Sequence, residues 1–200
     1  MPSVPPVLAV LRHALADPLS AATAKVEVLA ARLLREAPAL ETRARDLGTD
    51  LATAGRLLDL LSALSDIAEE RPEPVTLGRL VAPFGEAPEG GEEARVVLVR
   101  PVSAEEAIRR VVAFGAARGG APLVAVRRGA GRAEVHVGGL GPLPPVPIDR
   151  LVLLPRDVPG ADDLFFAYAA VAADGGEIFF SIEGDALGAA LSWPGVGEVR

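Results

Sequence analysis

A histidine stands near the start of the chain in the segment Arg12–Leu19, which reads RHALADPL. The imidazole of His13 is a nitrogen nucleophile that acts near neutral pH, and an accessible one can accept a phosphoryl group. Asp17 lies one helical turn further along and can either hold that imidazole by a hydrogen bond or repel an incoming phosphate. The alternatives are a surface histidine with no chemical role and, for Asp17, a surface carboxylate beside Arg12.

Other chemistries find little support in the residue types. The chain has no cysteine, which excludes disulfides, thiolate metal sites and thiol nucleophiles. The second histidine, His136, lies in an alternating apolar segment and is expected to be a partly buried strand residue without a catalytic role. Because the two histidines stand far apart in different contexts, a zinc site is not expected. No Ser–His–Asp set or carboxylate dyad is recognisable.

Composition narrows the class of partner. The 200 residues carry a formal net charge of −7, and both halves of the chain are acidic. This balance argues against a nucleic acid partner. The N-terminus lacks the basic segment of a secretory signal, and no apolar run is long enough to span a bilayer. We therefore expect a cytoplasmic protein that does not bind membranes.

Two apolar seams predict the elements that position His13. The first helix is expected to end near Glu36, and the second to end near Glu70, with Ala37-Pro38 as the break between them. The seams are Leu8, Leu11, Leu15, Ala22, Val26, Leu29 and Leu33, then Leu40, Ala44, Leu47, Leu51, Ala54, Leu58, Leu61 and Leu64. Such a pair forms an antiparallel hairpin that cannot bury its stripe alone, which predicts a homodimeric four-helix bundle. His13 lies about 200° around the helix from the seam and is expected to be exposed.

The pattern changes after the hairpin. The predicted domains are residues 1–72 (helical hairpin), 73–92 (a linker rich in Pro, Gly and Glu, with one short helical turn or strand) and 93–200 (an α/β domain). In the last of these we expect a strand, a helix opened by a Ser103–Glu106 capping box, a hairpin around residues 129–131, a helix and a second hairpin. The fold class is therefore α plus α/β, with helices on one face of the sheet.

His13, Leu15, Pro18 and Leu19 resemble the H box of sensor histidine kinases, H-E-L-R-T-P-L, with proline five residues after histidine. The segments RLLDLLSALSDIAEE and PVTLGRLV resemble the second helix of that dimerisation domain and the exit from it, so the resemblance covers residues 7–82. Residues 91–195 resemble the ATP-binding half of the same kinases in order and pattern. The final Gly175-Gly176 turn and the segment SWP match that half well.

The residues that bind ATP in those kinases are missing from this segment. The helix that matches the N box reads RRVVAFGAAR, and the chain has no asparagine. The match to the G1 box D-x-G-x-G is Val137–Gly141, where valine replaces the aspartate. The G2 glycines would fall at Pro159–Leu164, where Asp162 and Asp163 repel phosphate. The resemblance thus implies a degenerate ATPase sandwich that uses no ATP and no cofactor.

The combination of an H-box histidine with a degenerate kinase domain resembles the ChpT-type histidine phosphotransferases. This resemblance implies a phosphorelay protein whose His13 exchanges phosphoryl groups with response-regulator receivers, which supply the Mg²⁺. Arg12, Ala21 and Lys25 would contact the receiver, and an upstream kinase is a further possible partner. Ala14 stands where kinases have an acidic general base, so self-phosphorylation is not expected. The alternative is a non-catalytic pseudokinase adaptor that binds a response regulator or a kinase.

Overall fold

The computed structural model describes residues 19–29, 31–32, 41–85, 95–128, 133–145, 147–148, 151 and 158–195. The chain divides into two compact units, Met1–Asp66 and Ile67–Arg200. The expected start of the first helix, the bend at Pro18 and the break at Ala37-Pro38 lie outside the described residues.

The first unit is helical. Helix α1 covers residues 19–29 and continues at 31–32, and helix α2 spans Glu41–Glu69. Both are rich in Ala and also contain Leu, residues that favour helix, and neither contains a proline in its described part. A β-carbon at Gly48 would lie 3.9 Å from Cγ1 of Val26, and one at Gly55 would lie 3.8 Å from Cδ2 of Leu19. Helix α2 ends within a residue of the predicted Glu70.

The second unit contains six strands and three helices in its described part. A short pair comes first: β1 (Glu73–Thr76), α3 (Leu77–Val81), a 3₁₀ turn (Ala82–Phe84) and β2 (Val96–Val99). The main layer follows, with α4 (Pro101–Ala117), β3 (Leu123–Arg128), β4 (Ala133–Gly138), α5 (Ala161–Ala173), β5 (Glu177–Glu183) and β6 (Ala186–Trp193). From β2 onward this order agrees with the expected strand, helix, hairpin, helix, hairpin.

All strand pairs are antiparallel. β1 pairs with β2, and the main sheet has the order β3-β4-β6-β5. Because successive strand residues point to opposite faces, alternate positions of β4 and β6 meet α4 and α5. The core is built from these buried apolar side chains, with Trp193 and Phe114 the largest that are fully buried. The other face of the sheet carries Leu123, Arg127, His136 and Glu183.

The predicted linker is partly folded. Residues 73–76 pair with β2, and Val75, Leu77, Leu80 and Val81 are buried in the second unit. The Pro and Gly content of this stretch suggested a linker, but these four apolar side chains are buried in the core of the second unit. Residues 73–85 belong to the second unit, which begins at Ile67, and they include the short strand and helical turn expected in this stretch. Residues 86–94 lie outside the described set.

The predicted Ser103–Glu106 capping box is wrong. Helix α4 begins at Pro101, which occupies the first helical position, and its N-cap Arg100 makes no side-chain cap bond. Proline suits that position because its missing N–H would have no helical acceptor. Ser103 is thus already inside the helix, and Glu106 instead accepts from Arg109 and Arg110. The cap comes from Glu70, 33 residues earlier than Ser103.

Candidate functional site

The predicted phosphoacceptor segment lies outside the described residues, since His13, Arg12 and Asp17 all belong to residues 1–18. Ala21 and Lys25 are described, and both are exposed on α1. They stand four residues apart and therefore lie on one face of the helix.

The face of α1 that carries Ala21 and Lys25 also includes Val28, which the sequence analysis did not single out. Val28 is three residues beyond Lys25, on the same side of α1, and its side chain is 70% exposed. Ala21, Lys25 and Val28 thus form a stripe with one positive charge between two apolar groups, which suits a partner surface that offers apolar contacts and a carboxylate. Helical spacing from Lys25 was the signal that would have identified Val28.

The helix that matches the N box contacts the segment that matches the G2 box. Nη1 of Arg110 on α4 lies 3.2 Å from Oδ1 of Asp163 on α5, and Nε of Arg110 lies 2.9 Å from Oε1 of Glu106. The guanidinium stacks over the Phe166 ring, 4.5 Å from its centroid. Burial raises the pKa of the Asp163 carboxyl, and Asp162 adds to the rise while Arg110 opposes it.

The same face of α4 continues toward Val137–Gly141, the segment that matches the G1 box. Glu106, Arg110, Phe114 and Arg118 are spaced by four residues, and we call them the α4 stripe. Fully buried Phe114 meets the start of α5, where a β-carbon at Gly160 would lie 3.3 Å from Cα of Phe114. Arg118 stacks over Phe114, 4.9 Å from the ring centroid, and donates to the carbonyl of Pro142. Burial lowers the pKa of Arg118.

The two glycines kept from the G1 pattern approach protein backbone. Gly139 has φ +68° and Gly141 has φ +84°, values that favour glycine. A β-carbon at Gly139 would lie 2.6 Å from the Ala121 carbonyl oxygen, and one at Gly120 would lie 2.6 Å from the Gly141 nitrogen. These glycines let the loop after α4 pack directly on the loop after β4.

The N-terminus of α5 is negatively charged. Asp162 and Asp163 both lie in its first turn, and the N-cap Gly160 supplies no side chain. Carboxylates at this end of a helix interact favourably with the helix dipole, but they repel a phosphate that approaches the same amides. The segment can therefore stabilise the helix and bind a cation such as Arg110, whereas it is poorly suited to a phosphate.

His136 is buried as expected, with 8% of its surface exposed. Its Nε2 lies 3.0 Å from Oε1 of Glu183, although β6 separates their two strands. The Glu183 side chain crosses β6 above Gly188, where a β-carbon would lie 3.4 Å from Cδ of Glu183. Burial lowers the pKa of His136, and Arg127 lowers it further, while Glu183 raises it. Nothing in the local sequence marks His136 and Glu183 as partners.

Metal and membrane features are not found in the described part of the chain. There, no three His, Asp or Glu side chains group in a way that would hold a metal ion. None of the helices within these ranges combines the length and the apolar character needed to cross a membrane.

Comparison with solved structures shows that the fold is histidine-kinase-like. Full-length ShkA in complex with AMPPNP is similar to this chain with a TM-score of 0.52 and 21% identity, and the match covers 96% of this chain and 46% of ShkA. The histidine kinase AdeS from Acinetobacter baumannii is similar with a TM-score of 0.53 and 11% identity, over 86% of this chain and 94% of the other. The chain thus spans somewhat less than half the length of ShkA. No family model and no curated protein matches the sequence.

Proposed function

We propose that this protein is a histidine phosphotransfer protein of a two-component phosphorelay. In this role it accepts phosphoryl groups from response-regulator aspartates on His13 and returns them to other receivers, without ATP-dependent autophosphorylation. It resembles the ChpT-type phosphotransferases in combining an H-box histidine with a degenerate kinase-like domain. The cytoplasm is its expected location, because receivers and their kinases meet there.

The observation that carries this proposal is the direct contact between α4 and α5 in a histidine-kinase-like fold. In the kinases that the sequence resembles, the matching segments bind magnesium and phosphates. Here the same segments bind each other, through the Arg110–Asp163 ion pair and through Phe114 against Gly160. With Val137 in place of the G1 aspartate, this contact supports a domain that binds no ATP.

Phosphotransfer needs less from the protein than autophosphorylation does. A neutral imidazole nitrogen of His13 attacks the phosphorus of the receiver's acyl phosphate, the N–P bond forms, and the bond to the aspartate oxygen breaks. The carboxylate leaves with the electron pair, and the receiver's Mg²⁺ neutralises the transferred group. The reverse step regenerates the imidazole. Asp17 is proposed to orient the imidazole ring of His13. Ala14 next to His13 is compatible with phosphotransfer, because this step does not need a neighbouring carboxylate to remove a proton.

The scaffold proposed for His13 is an antiparallel hairpin that dimerises into a four-helix bundle. The approaches of Gly48 to Val26 and of Gly55 to Leu19 support the hairpin, because residues later in α2 meet residues earlier in α1. Leu47, Leu57 and Leu61 lie within one arc of α2 and are 48%, 42% and 44% exposed. An exposed leucine stripe on a helix supports burial against a second copy.

The proposed receiver surface continues from Arg12 to the described stripe on α1. Ala21 permits close approach of a partner helix, Lys25 offers a positive charge, and Val28 adds an apolar contact. An acidic and apolar receiver face would complement it.

The test is transfer of radiolabelled phosphate from purified phospho-receivers of the same organism. The wild-type chain is expected to acquire label, and His13→Ala is expected to acquire none. His136→Ala is the matched control, because it removes the other histidine and should leave labelling intact. Label on His13→Ala, or no labelling of wild type by any receiver, would contradict the proposal.

The second candidate is a pseudokinase adaptor that regulates a receiver or a kinase by binding alone. The replacement of the acidic H-box residue by Ala14 favours it. This candidate predicts that a receiver co-purifies with both the wild-type and the His13→Ala protein while neither is labelled.

A further inference from the structure

Helix α4 takes its N-terminal cap from a distant residue. Oε1 of Glu70 accepts a hydrogen bond from the Val102 amide at 2.7 Å, and Oε2 accepts one from the Ser103 amide at 2.9 Å. The Ser103 hydroxyl also donates to Oε2 at 2.5 Å. These amides belong to the first turn of α4 and have no acceptor within the helix.

The backbone carbonyl of Glu70 is also hydrogen-bonded. Nε of Arg100 donates to the Glu70 carbonyl at 2.9 Å, and Nη1 of Arg100 donates to the Ala173 carbonyl at 3.0 Å. Arg100 also pairs with Asp174, whose side chain is 1% exposed and which accepts the Arg100 amide at 2.9 Å. Residue 70 is therefore joined to the first turn of α4 directly and to the end of α5 through Arg100.

We propose that Glu70 is a latch: the first turn of α4 is ordered only while the residue that follows α2 is seated on it. No residue of α4 replaces this cap, since Arg100 makes no cap bond and Pro101 has no N–H. A carboxylate at a helix N-terminus also interacts favourably with the helix dipole. Displacing the chain at residue 70 therefore frees the Val102 and Ser103 amides together with Nε of Arg100, while Nη1 of Arg100 keeps its contacts with Ala173 and Asp174.

The latch is separate from the proposed phosphotransfer on His13. It is a contact through which a partner could regulate the second unit. Helix α4 carries the α4 stripe, which begins at Glu106, one turn after the latched residues. A partner that draws residue 70 away from α4 would first loosen the turn that contains Val102 and Ser103. The latch thus gives such a partner a way to act on α4 without any bound ligand.

The test is amide hydrogen exchange on the full-length chain. Glu70→Ala is expected to lower the protection of the Val102 and Ser103 amides on the order of tenfold, the size of a lost helix cap. Glu69→Ala is the matched control, because it removes the same charge from the exposed neighbouring position and should leave both amides protected. Equal effects of the two variants would overturn the latch.

Ser103→Ala keeps the proposal testable if Glu70→Ala does not fold. It removes only the hydroxyl contact with Glu70, so it should lower the protection of the residue-103 amide relative to the wild-type protein by less than tenfold. In the Glu70→Gln background, where the charge is lost, Ser103→Ala should cause a smaller further loss than it causes alone. Fully additive losses would show that the two groups act independently, which contradicts the latch.

Discussion

Arg110 of α4 and Asp163 of α5 are joined by an ion pair of 3.2 Å, and the same guanidinium stacks on Phe166 of α5. The contact joins two helices that are far apart in the sequence. The Asp163 side chain is 27% exposed, and the Arg110 guanidinium supplies its partner charge within the partly buried contact. The ion pair and the stacking together stabilise the pairing of α4 with α5.

Replacing Arg110 by methionine should destabilise the second unit. Methionine keeps much of the volume but removes the ion pair to Asp163 and the stacking on Phe166. Both charged side chains are about 30% exposed, so we expect a loss of only about 1–2 kcal/mol in the free energy of unfolding. Urea unfolding of Arg110→Met measures it. Arg109→Met is the control, because the exposed Arg109 pairs only within α4, and a loss equal to that of Arg110→Met would contradict this account.

Isothermal titration of the wild-type protein with Mg-ATP should show no binding. Val137 cannot accept the adenine amino group, and Asp162 and Asp163 repel phosphates at the start of α5. Arg110→Met should not restore binding, because removing the ion pair supplies neither missing ligand. Binding of Mg-ATP with micromolar affinity by either protein would contradict the proposal that the domain does not bind ATP.

The free energy of unfolding should fall between neutral pH and pH 5.5 partly because of His136. Burial holds the pKa of folded His136 below the 6.5 of the unfolded chain, so the unfolded state binds the proton more readily. The stabilisation is complete above pH 6.5 and is lost as pH falls toward the folded pKa, with a slope of at most about 1.4 kcal/mol per pH unit.

His136→Gln should remove this part of the pH dependence. Subtracting its unfolding free energy from that of the wild-type protein at each pH cancels the contribution of His13. A difference that grows as the pH falls would show the opposite sign, and would mean that Glu183 outweighs burial in setting the pKa.

Glycine substitutions should have opposite effects in the two units. Gly120→Ala places a β-carbon 2.6 Å from the Gly141 nitrogen, so the loop after α4 must move, at a cost of about 1–3 kcal/mol. Gly48→Ala places one 3.9 Å from Cγ1 of Val26 on α1, an ordinary contact, and should stabilise α2 by about 0.5–1 kcal/mol. Thermal unfolding measures both, and a stabilising Gly120→Ala would refute the close packing of the two loops.

Charge on the exposed face of α2 should dissociate the proposed dimer. The double substitution Leu57→Glu and Leu61→Glu introduces four carboxylates into a dimer interface built on this face. We expect the mass from light scattering to fall from two chains to one at micromolar concentration. Leu123→Glu is the control, because Leu123 is 76% exposed in the second unit. A monomeric wild-type protein would refute the dimer.

The sequence by itself predicted α2 to within a residue of its end, and it predicted the order of elements from β2 to β6. These features follow from local signals, namely apolar periodicity, turn glycines and strand alternation, which need no knowledge of distant residues. The resemblance to histidine kinases also came from short segments, and the fold agrees with it. His13, on which the proposed function depends, stays a prediction because it lies outside the described residues.

Only the tertiary structure decided which residues satisfy one another across long separations. Glu70 caps α4, and Glu183 reaches His136 over Gly188, although nothing in the local sequence marks either pair. The prediction of a Ser103–Glu106 capping box was wrong for the same reason. The helix begins at Pro101, and the carboxylate of Glu70 caps its first turn. Leu29, Leu47 and Leu61 belong to the predicted seams yet are exposed, because periodicity identifies an apolar stripe and only packing decides which part of it a single chain can bury.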